Sequence, residues 1–236
     1  MLEVSEVDVF YGKTQILRNL TFNVKEGQIV FLIGPNGHGK TTILKTISGL
    51  LRPRKGCIKY CEEPIHKMSP NKVVEKGIVH VPQGGRLFPN MTVQENLFLG
   101  GYTERDRRKR QENLELVYRI FPRLEERKNQ LCRSLSGGER KMVAVGRGLM
   151  SKAKLLMIDE PSLGLAPVLV DQLYKTIDEE ITKMGITLLL VEQNIRYVTR
   201  LADYIYVIEQ GKVSFEGSKE MLDVEDVTRR YFGTYD

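Results

Sequence analysis

Residues 34–42 carry the plainest chemical signal in the chain: Gly34, Pro35, Asn36, Gly37, His38, Gly39, Lys40, Thr41 and Thr42. They follow a pattern of glycine, four residues, then Gly-Lys-Thr. Glycines let such a loop curl until its backbone N–H groups converge on phosphate oxygens. The helix N-terminus that follows adds its dipole. Lys40 then reaches the β- and γ-phosphates of a nucleotide, and the Thr41 hydroxyl ligates Mg²⁺. A second cluster lies far along the chain, where the apolar run Leu155-Leu156-Met157-Ile158 ends in Asp159-Glu160. Open α/β sheets place ligand chemistry at the C-terminal ends of their strands. Beside a phosphate loop, the first acid holds Mg²⁺ and the second takes a proton from water.

A third stretch reads Leu135-Ser136-Gly137-Gly138-Glu139-Arg140. Ser136 with Glu139 makes a capping box, which opens a helix through Met150. A cap does not require two consecutive glycines, which weaken a first turn. They suit a helix N-terminus whose bare backbone an anion must approach. The phosphate loop already supplies one such site, so a second serves a nucleotide held by another molecule.

These clusters need a sheet and helices to position them. Residues 2–10 alternate apolar and polar, as a half-exposed antiparallel strand does. A second strand is expected at 20–24, and a buried strand, Ile29-Val30-Phe31-Leu32-Ile33, leads into the loop, with a helical run from Ile43 after it. A short strand is expected at 57–60, a helix from Pro70 closed by Gly77, and another strand at 78–81. Thr92 with Glu95 caps a helix reaching Leu99, and a longer helix is expected over 103–121, stopped at Pro122. No convincing strand is read between Gln83 and Lys152, which marks a helical insertion in a sheet domain. Strands return at 154–158, 186–191, 204–208 and 212–215, with helices at 167–183 and 194–200.

At 236 residues the chain has room for one α/β domain with an inserted subdomain. Its 41% apolar and 28% charged content is that of an ordinary globule, and no apolar run reaches bilayer-spanning length. The first residues lack the plan of a signal peptide. Cys57, Cys61 and Cys132 form no metal or disulfide framework, which fits a reducing compartment. A net charge of +6 suits an anionic partner. The densest charge run, residues 104–110, mixes signs and has no interleaved aromatics, so a solvated helix start explains it and nucleic acid is not expected as a partner.

With these motifs in hand, the chain resembles the ATP-binding cassette (ABC) ATPases over essentially its whole length. Leu135-Ser136-Gly137-Gly138-Glu139 is similar to that family's signature, in the family's order of phosphate loop, glutamine loop, signature, acidic strand end and switch. The resemblance implies an α/β P-loop NTPase (RecA-like) core with an antiparallel β subdomain and an inserted α-helical signature subdomain. The core would be residues 1–83 and 153–236, and the helical part 84–152. It implies ATP and Mg²⁺ as cofactors, Tyr11 stacked on adenine, and Gln83 on Mg²⁺ and the attacking water. Asp159 matches the magnesium-supporting aspartate and Glu160 the catalytic glutamate. Such cassettes form head-to-tail dimers, so Ser136, Gly137, Gly138 and Glu139 would meet the partner's nucleotide.

Gln193 stands where the family usually has histidine; its amide can donate a hydrogen bond to the γ-phosphate but cannot take up a proton or a positive charge. Pro161-Ser162-Leu163-Gly164-Leu165-Ala166-Pro167 and Val191-Glu192-Gln193-Asn194 resemble the ATPase subunits of branched-chain amino-acid importers and their urea or amide relatives. That implies an ATPase at the cytoplasmic face of a membrane, with permease subunits docked near residues 83–96 and, indirectly, a solute-binding protein. A soluble ABC ATPase of translation or DNA repair is the alternative, but this chain has one phosphate loop, one signature and no long insertion. A non-hydrolysing regulatory subunit, motivated by Gln193, is opposed by the intact acid pair. His38 replaces the small residue common in this loop; a solvent-facing, neutral role is expected for it.

Overall fold

The protein is seen as a computed structural model that describes residues 1–222, so the expected core residues 223–236 lie outside the described residues. In chain order its elements are β1 (Leu2–Tyr11), β2 (Thr14–Val24), β3 (Ile29–Ile33), α1 (Lys40–Ile47), β4 (Lys55–Tyr60), β5 (Glu63–Pro64) and α2 (Pro70–Glu75). There follow β6 (Ile78–Val81), α3 (Val93–Gly100), α4 (Arg107–Ile120), α5 (Pro122–Glu126), α6 (Gly137–Leu149), β7 (Leu155–Asp159) and α7 (Pro167–Thr176). The last are β8 (Thr187–Val191), α8 (Ile195–Leu201), β9 (Tyr204–Glu209) and β10 (Lys212–Gly217). The chain divides into two compact units, one of residues 1–73 with 187 onward, the other of residues 74–186.

In the first unit, β2, β1, β4 and β5 lie side by side in that order and pair antiparallel. One face is apolar: Val4, Val7 and Val9 of β1 and Leu17, Leu20 and Phe22 of β2 are all buried. β2 begins at Thr14, well before the expected 20. Asn19 sits at φ 49, and the β1–β2 register shifts on either side of Val7 and Val9. Each bulge inverts the in–out alternation, which hides the strand from a period-two reading. β3 pairs in parallel with β8 and β9, and β10 returns antiparallel on β9. Every residue of β3 and β8 is buried, as parallel strands covered on both faces require. α1 lays Ile43, Leu44 and Ile47 into this core.

In the second unit β6 and β7 pair in parallel, and helices make up most of the remainder. Among the described residues no strand occurs between Gln83 and Lys152, as expected. The capping boxes at Thr92 with Glu95 and at Ser136 with Glu139 both form. α4 starts later than expected because Asp106 caps it, its carboxylate accepting from the N–H groups of Arg108 and Lys109. The mixed charge run is therefore a helix start, as read from the sequence. Pro122 ends α4 and also opens α5, where its missing N–H costs nothing. The helix expected over 167–183 is α-helical only to Thr176; a π-turn over Ile177–Ile181 and a 3₁₀ turn over Thr182–Met184 complete it.

One hairpin turn binds the first unit's two kinds of sheet. Gln210 and Gly211, at φ 48 and 79, join β9 to β10, and the Gly211 carbonyl accepts from Arg18 N–H of β2 at 3.0 Å. A Cβ on Gly211 would lie 1.8 Å from the Ile16 carbonyl oxygen. Gly211→Ala is therefore expected to lower the unfolding free energy by more than about 2 kcal/mol. Gly185→Ala, at φ 69 with open space around it, carries only the backbone cost of about 1 kcal/mol. Denaturant midpoints of the two variants check the difference.

Candidate functional site

The phosphate loop runs out of β3 and into α1 within the first unit. Gly34 sits at φ 135, and a Cβ there would lie 2.2 Å from the Ile208 carbonyl oxygen of β9. Only glycine lets the chain turn so close to its neighbouring strand. α1 begins at Lys40, so Lys40, Thr41 and Thr42 form its first turn, and Gly39 at the N-cap brings no side chain to it. A helix start of this kind offers its N–H groups and dipole to an anion. Lys40 is only 4% exposed. Its ammonium donates to the carbonyls of Gly34 and Pro35 at 2.6 and 2.7 Å, which anchors it on the loop it serves. Asn36 and Gly37 stand at the exposed crown.

His38 does not face solvent as expected. It is half-buried, and its Nδ1 accepts from the Gln210 N–H at 3.2 Å. Its own carbonyl accepts from the Gly211 N–H at 3.1 Å. The ring and backbone thus staple the loop to the β9–β10 turn. Tyr11 is exposed at the end of β1, and Arg54 binds the residues on either side of it in sequence: its guanidinium lies 4.2 Å from the Phe10 ring centroid and donates to the Gly12 carbonyl at 2.7 Å. Gln193 follows β8. Its N–H and that of Asn194 donate to the Glu192 carboxylate at 3.2 and 3.1 Å, and Glu192 is 1% exposed.

The acid pair belongs to the second unit. Asp159 is the last residue of β7 and Glu160 follows at φ 48; both are buried. The Gln83 amide donates to Glu160 Oε2 at 2.7 Å, so the two residues expected to handle the attacking water are brought together. The Lys141 ammonium, from α6, donates to the Glu160 carbonyl at 2.8 Å. Arg147, also on α6, donates to the carbonyls of Gly85 and Arg86 at 2.6 and 3.1 Å and so fixes the loop that carries Gln83. Burial lowers the pKa of its guanidinium. Asn96 is fully buried on α3 and bonds Phe88 through both its N–H and carbonyl, with further donation to the Thr92 carbonyl.

Ser136 and Gly137 are exposed and Gly138 is buried at the start of α6. The Ser136 hydroxyl accepts from Glu139 N–H at 3.3 Å, and the Glu139 carboxylate accepts from Ser136 N–H at 2.9 Å. Glu139 also pairs with Arg127 at 2.6 Å and Arg123 at 3.7 Å. Burial works against this carboxylate, yet the Ser136 hydrogen bonds and the two guanidinium charges together hold its pKa below 4.5. Its charge serves the shape of the turn.

Lys141, Arg147 and Asn96 escaped the sequence reading, although a signal was present. Lys141 shares a helical stripe with Ala144, Val145 and Gly148, and Asn96 one with Val93. A polar residue on an apolar stripe is the informative exception. Gln210 gave no signal, since it acts through its backbone.

Strand, glycine turn and helix in that order, with the lysine opening the helix, define the P-loop NTPase class. The capped Ser-Gly-Gly turn narrows the class further. The chain belongs to the ABC transporter family, whose model matches residues 17–163. It is 44% identical to the high-affinity branched-chain amino acid transport ATP-binding protein BraG of Pseudomonas aeruginosa, over 90% of this chain and 91% of that one. It is 32% identical to a probable branched-chain amino acid transport ATP-binding protein, LivF, of Archaeoglobus fulgidus, over the full length of both. Among solved structures, the ADP conformation of an ATP-binding cassette of an ABC transporter superposes with a TM-score of 0.85 at 26% identity, covering 99% of each chain. The expected α/β P-loop fold is thereby confirmed, and the chain is an ATP-binding, ATP-hydrolysing subunit of a transport system.

Two expectations follow. Nδ1 of His38 accepts, so its proton sits on Nε2; imidazole ¹⁵N shifts should show that tautomer, and His38→Ala should cost about 1 kcal/mol of stability for the lost bond. A proton found on Nδ1 would contradict the staple. For Glu139 the folded pKa lies below the unfolded one, so its contribution to stability is complete above pH 4.5 and is lost as pH falls through the folded value. Glu139→Gln should therefore be less stable than wild type at neutral pH, with the gap closing in acid unfolding curves.

Proposed function

We propose that this chain energises import of branched-chain amino acids by hydrolysing Mg²⁺-bound ATP, with the site residues read from the sequence in the roles given there. The observation that carries the hydrolytic part is the 2.7 Å hydrogen bond from the Gln83 amide to Glu160 Oε2. A carboxylate that takes a proton from water needs one fixed orientation. The Gln83 amide restrains that orientation through Oε2. Lys40 neutralises charge on the β- and γ-phosphates, and Tyr11 stacks on adenine. Gln193, set by the buried Glu192, donates to the γ-phosphate.

The donor set fits magnesium. Thr41 hydroxyl, Asp159 carboxylate and Gln83 carbonyl are hard oxygen ligands, and among the described residues there is no cluster of three or more His, Cys, Asp or Glu to hold a metal outright. Mg²⁺ keeps waters and substrate phosphate oxygens in its shell, so few protein ligands suffice. When bound, the ion supplies positive charge to the transferring phosphoryl group and orients it.

Ser136, Gly137, Gly138 and Glu139 meet the nucleotide of a second cassette in a head-to-tail dimer. A similar but distinct chain as that partner is favoured by the relatives: Pseudomonas aeruginosa has a second such protein, BraF, to which this chain is 32% identical against 44% for BraG. Residues 84–152 act as the helical subdomain. Phe88, Leu99 and Tyr102 leave apolar surface exposed there, which supports docking of permease subunits near residues 83–96. No helix among the described residues is long and apolar enough to cross a membrane, so a peripheral place on the cytoplasmic face requires those subunits, and a solute-binding protein acts through them. The transport relatives favour this reading over a translation, repair or non-hydrolysing role.

Glu160→Gln removes the proton acceptor and keeps the shape. The variant should bind ATP as wild type does, lose at least about 100-fold in kcat, and accumulate as an ATP-bound dimer on size exclusion. Hydrolysis at the wild-type rate would remove Glu160 from its role.

A further inference from the structure

A lysine on the inward face of a helix is costly, because its ammonium gives up hydration and is tolerated only with partners. Lys141 is 6% exposed, and its ammonium donates to the backbone carbonyl of Glu160 at 2.8 Å. Glu160 is a residue in need of restraint. Its φ of 48 lies in the left-handed region, which is strained for a non-glycine residue and persists only where the surroundings over-determine it. Its carbonyl also accepts from the Leu163 N–H at 3.3 Å, and its carboxylate accepts from Gln83 at 2.7 Å. Amide and ammonium thus hold the two ends of one residue, side chain and backbone.

The helix that supplies the ammonium opens with the Ser136 turn. That turn is packed on the segment that follows Glu160: a Cβ on Gly138 would lie 2.7 Å from Leu169 Cδ1, and one on Gly137 3.7 Å from the Gly164 carbonyl oxygen. Any shift of the start of α6 is therefore passed to Lys141, and through its ammonium to the backbone of Glu160. Simple space-filling would be met by an apolar side chain of the same length; a donor aimed at a strained carbonyl is not required for it.

We propose that Lys141 is a positioning residue for ATP hydrolysis, tying the backbone of Glu160 to the signature helix so that carboxylate and Ser136 turn are aligned together. The proposal rests on the reading of Glu160 as the proton acceptor. It gives the chain a direct link between the carboxylate that works on its own nucleotide and the turn that meets the partner's.

The test compares ATP hydrolysis and ATP binding of the full chain for wild type, Lys141→Met and Lys141→Arg. Methionine keeps the length and apolar stem without the ammonium. Lys141→Met should lose about 10- to 100-fold in kcat with its ATP Kd within about twofold of wild type, a split that marks loss of alignment in the transition state. Lys141→Arg should recover most of the rate. An unchanged kcat in Lys141→Met overturns the proposal, and so does a fall in ATP affinity matching the fall in rate, which would mark general damage. Should Lys141→Met not fold, Lys141→Gln, whose donor falls short of the carbonyl, is judged by the same outcomes. A wild-type chain that binds ATP and does not hydrolyse it, even with its membrane partner, would instead overturn the assignment of Glu160, and that failure is distinct from the first.

Discussion

A loop that binds a polyanion must present bare backbone N–H groups and still hold one shape. Side chains that would normally stiffen a turn are excluded from the surface the phosphates occupy. Stiffness therefore has to come from behind. In the first unit it comes from the buried Lys40 ammonium on the carbonyls of Gly34 and Pro35, and from His38, bonded to the β9–β10 turn through ring and backbone. The close approach of Gly34 to Ile208 adds a steric wall. Each contact leaves the loop's N–H groups to the ligand.

The same solution recurs wherever a loop bears chemistry. The Glu192 carboxylate gathers the N–H groups of Gln193 and Asn194. Arg147 reaches from α6 to the carbonyls behind Gln83, Lys141 to the carbonyl of Glu160, and Asn96 to Phe88. These are polar groups whose desolvation is offset by hydrogen bonds to the backbone of the loops they hold. A half-satisfied network of this kind is costly, so each member constrains its neighbours. α6 is the common frame of the second unit: one helix carries the capped Ser136 turn at its start, and the buried Lys141 and half-buried Arg147 along its length.

What could be read ahead of the structure was whatever depends on local pattern. β3, β6 and β8 are continuous apolar runs, and their observed spans differ from the expected ones by at most a residue at an end. Both capping boxes involve residues three apart, and both formed. β2 was mostly missed because bulges at Asn19 and beside Val7 invert its alternation, and α7 was read as regular because its π-turn keeps the helical pattern of buried side chains. The acid pair and the glutamine were recognisable by motif; their hydrogen bond joins residues 77 positions apart in sequence, which no local window contains.

The sequence by itself determined the class of chemistry. Glycines, lysine and threonine at fixed spacing between a strand and a helix make a loop suited to phosphate, and an acid pair after an apolar strand lies at a sheet's working edge. These are short-range facts of sterics and charge. The tertiary structure alone decided how the backbone of Glu160, the loop that carries Gln83 and the phosphate loop are held, through Lys141, Arg147, Gln210 and the ring of His38. Those contacts depend on which strands and helices lie side by side, and on which polar atoms burial leaves in need of a partner. The donors come from helices and turns far along the chain, so their roles exist only once folding has brought them to the loop.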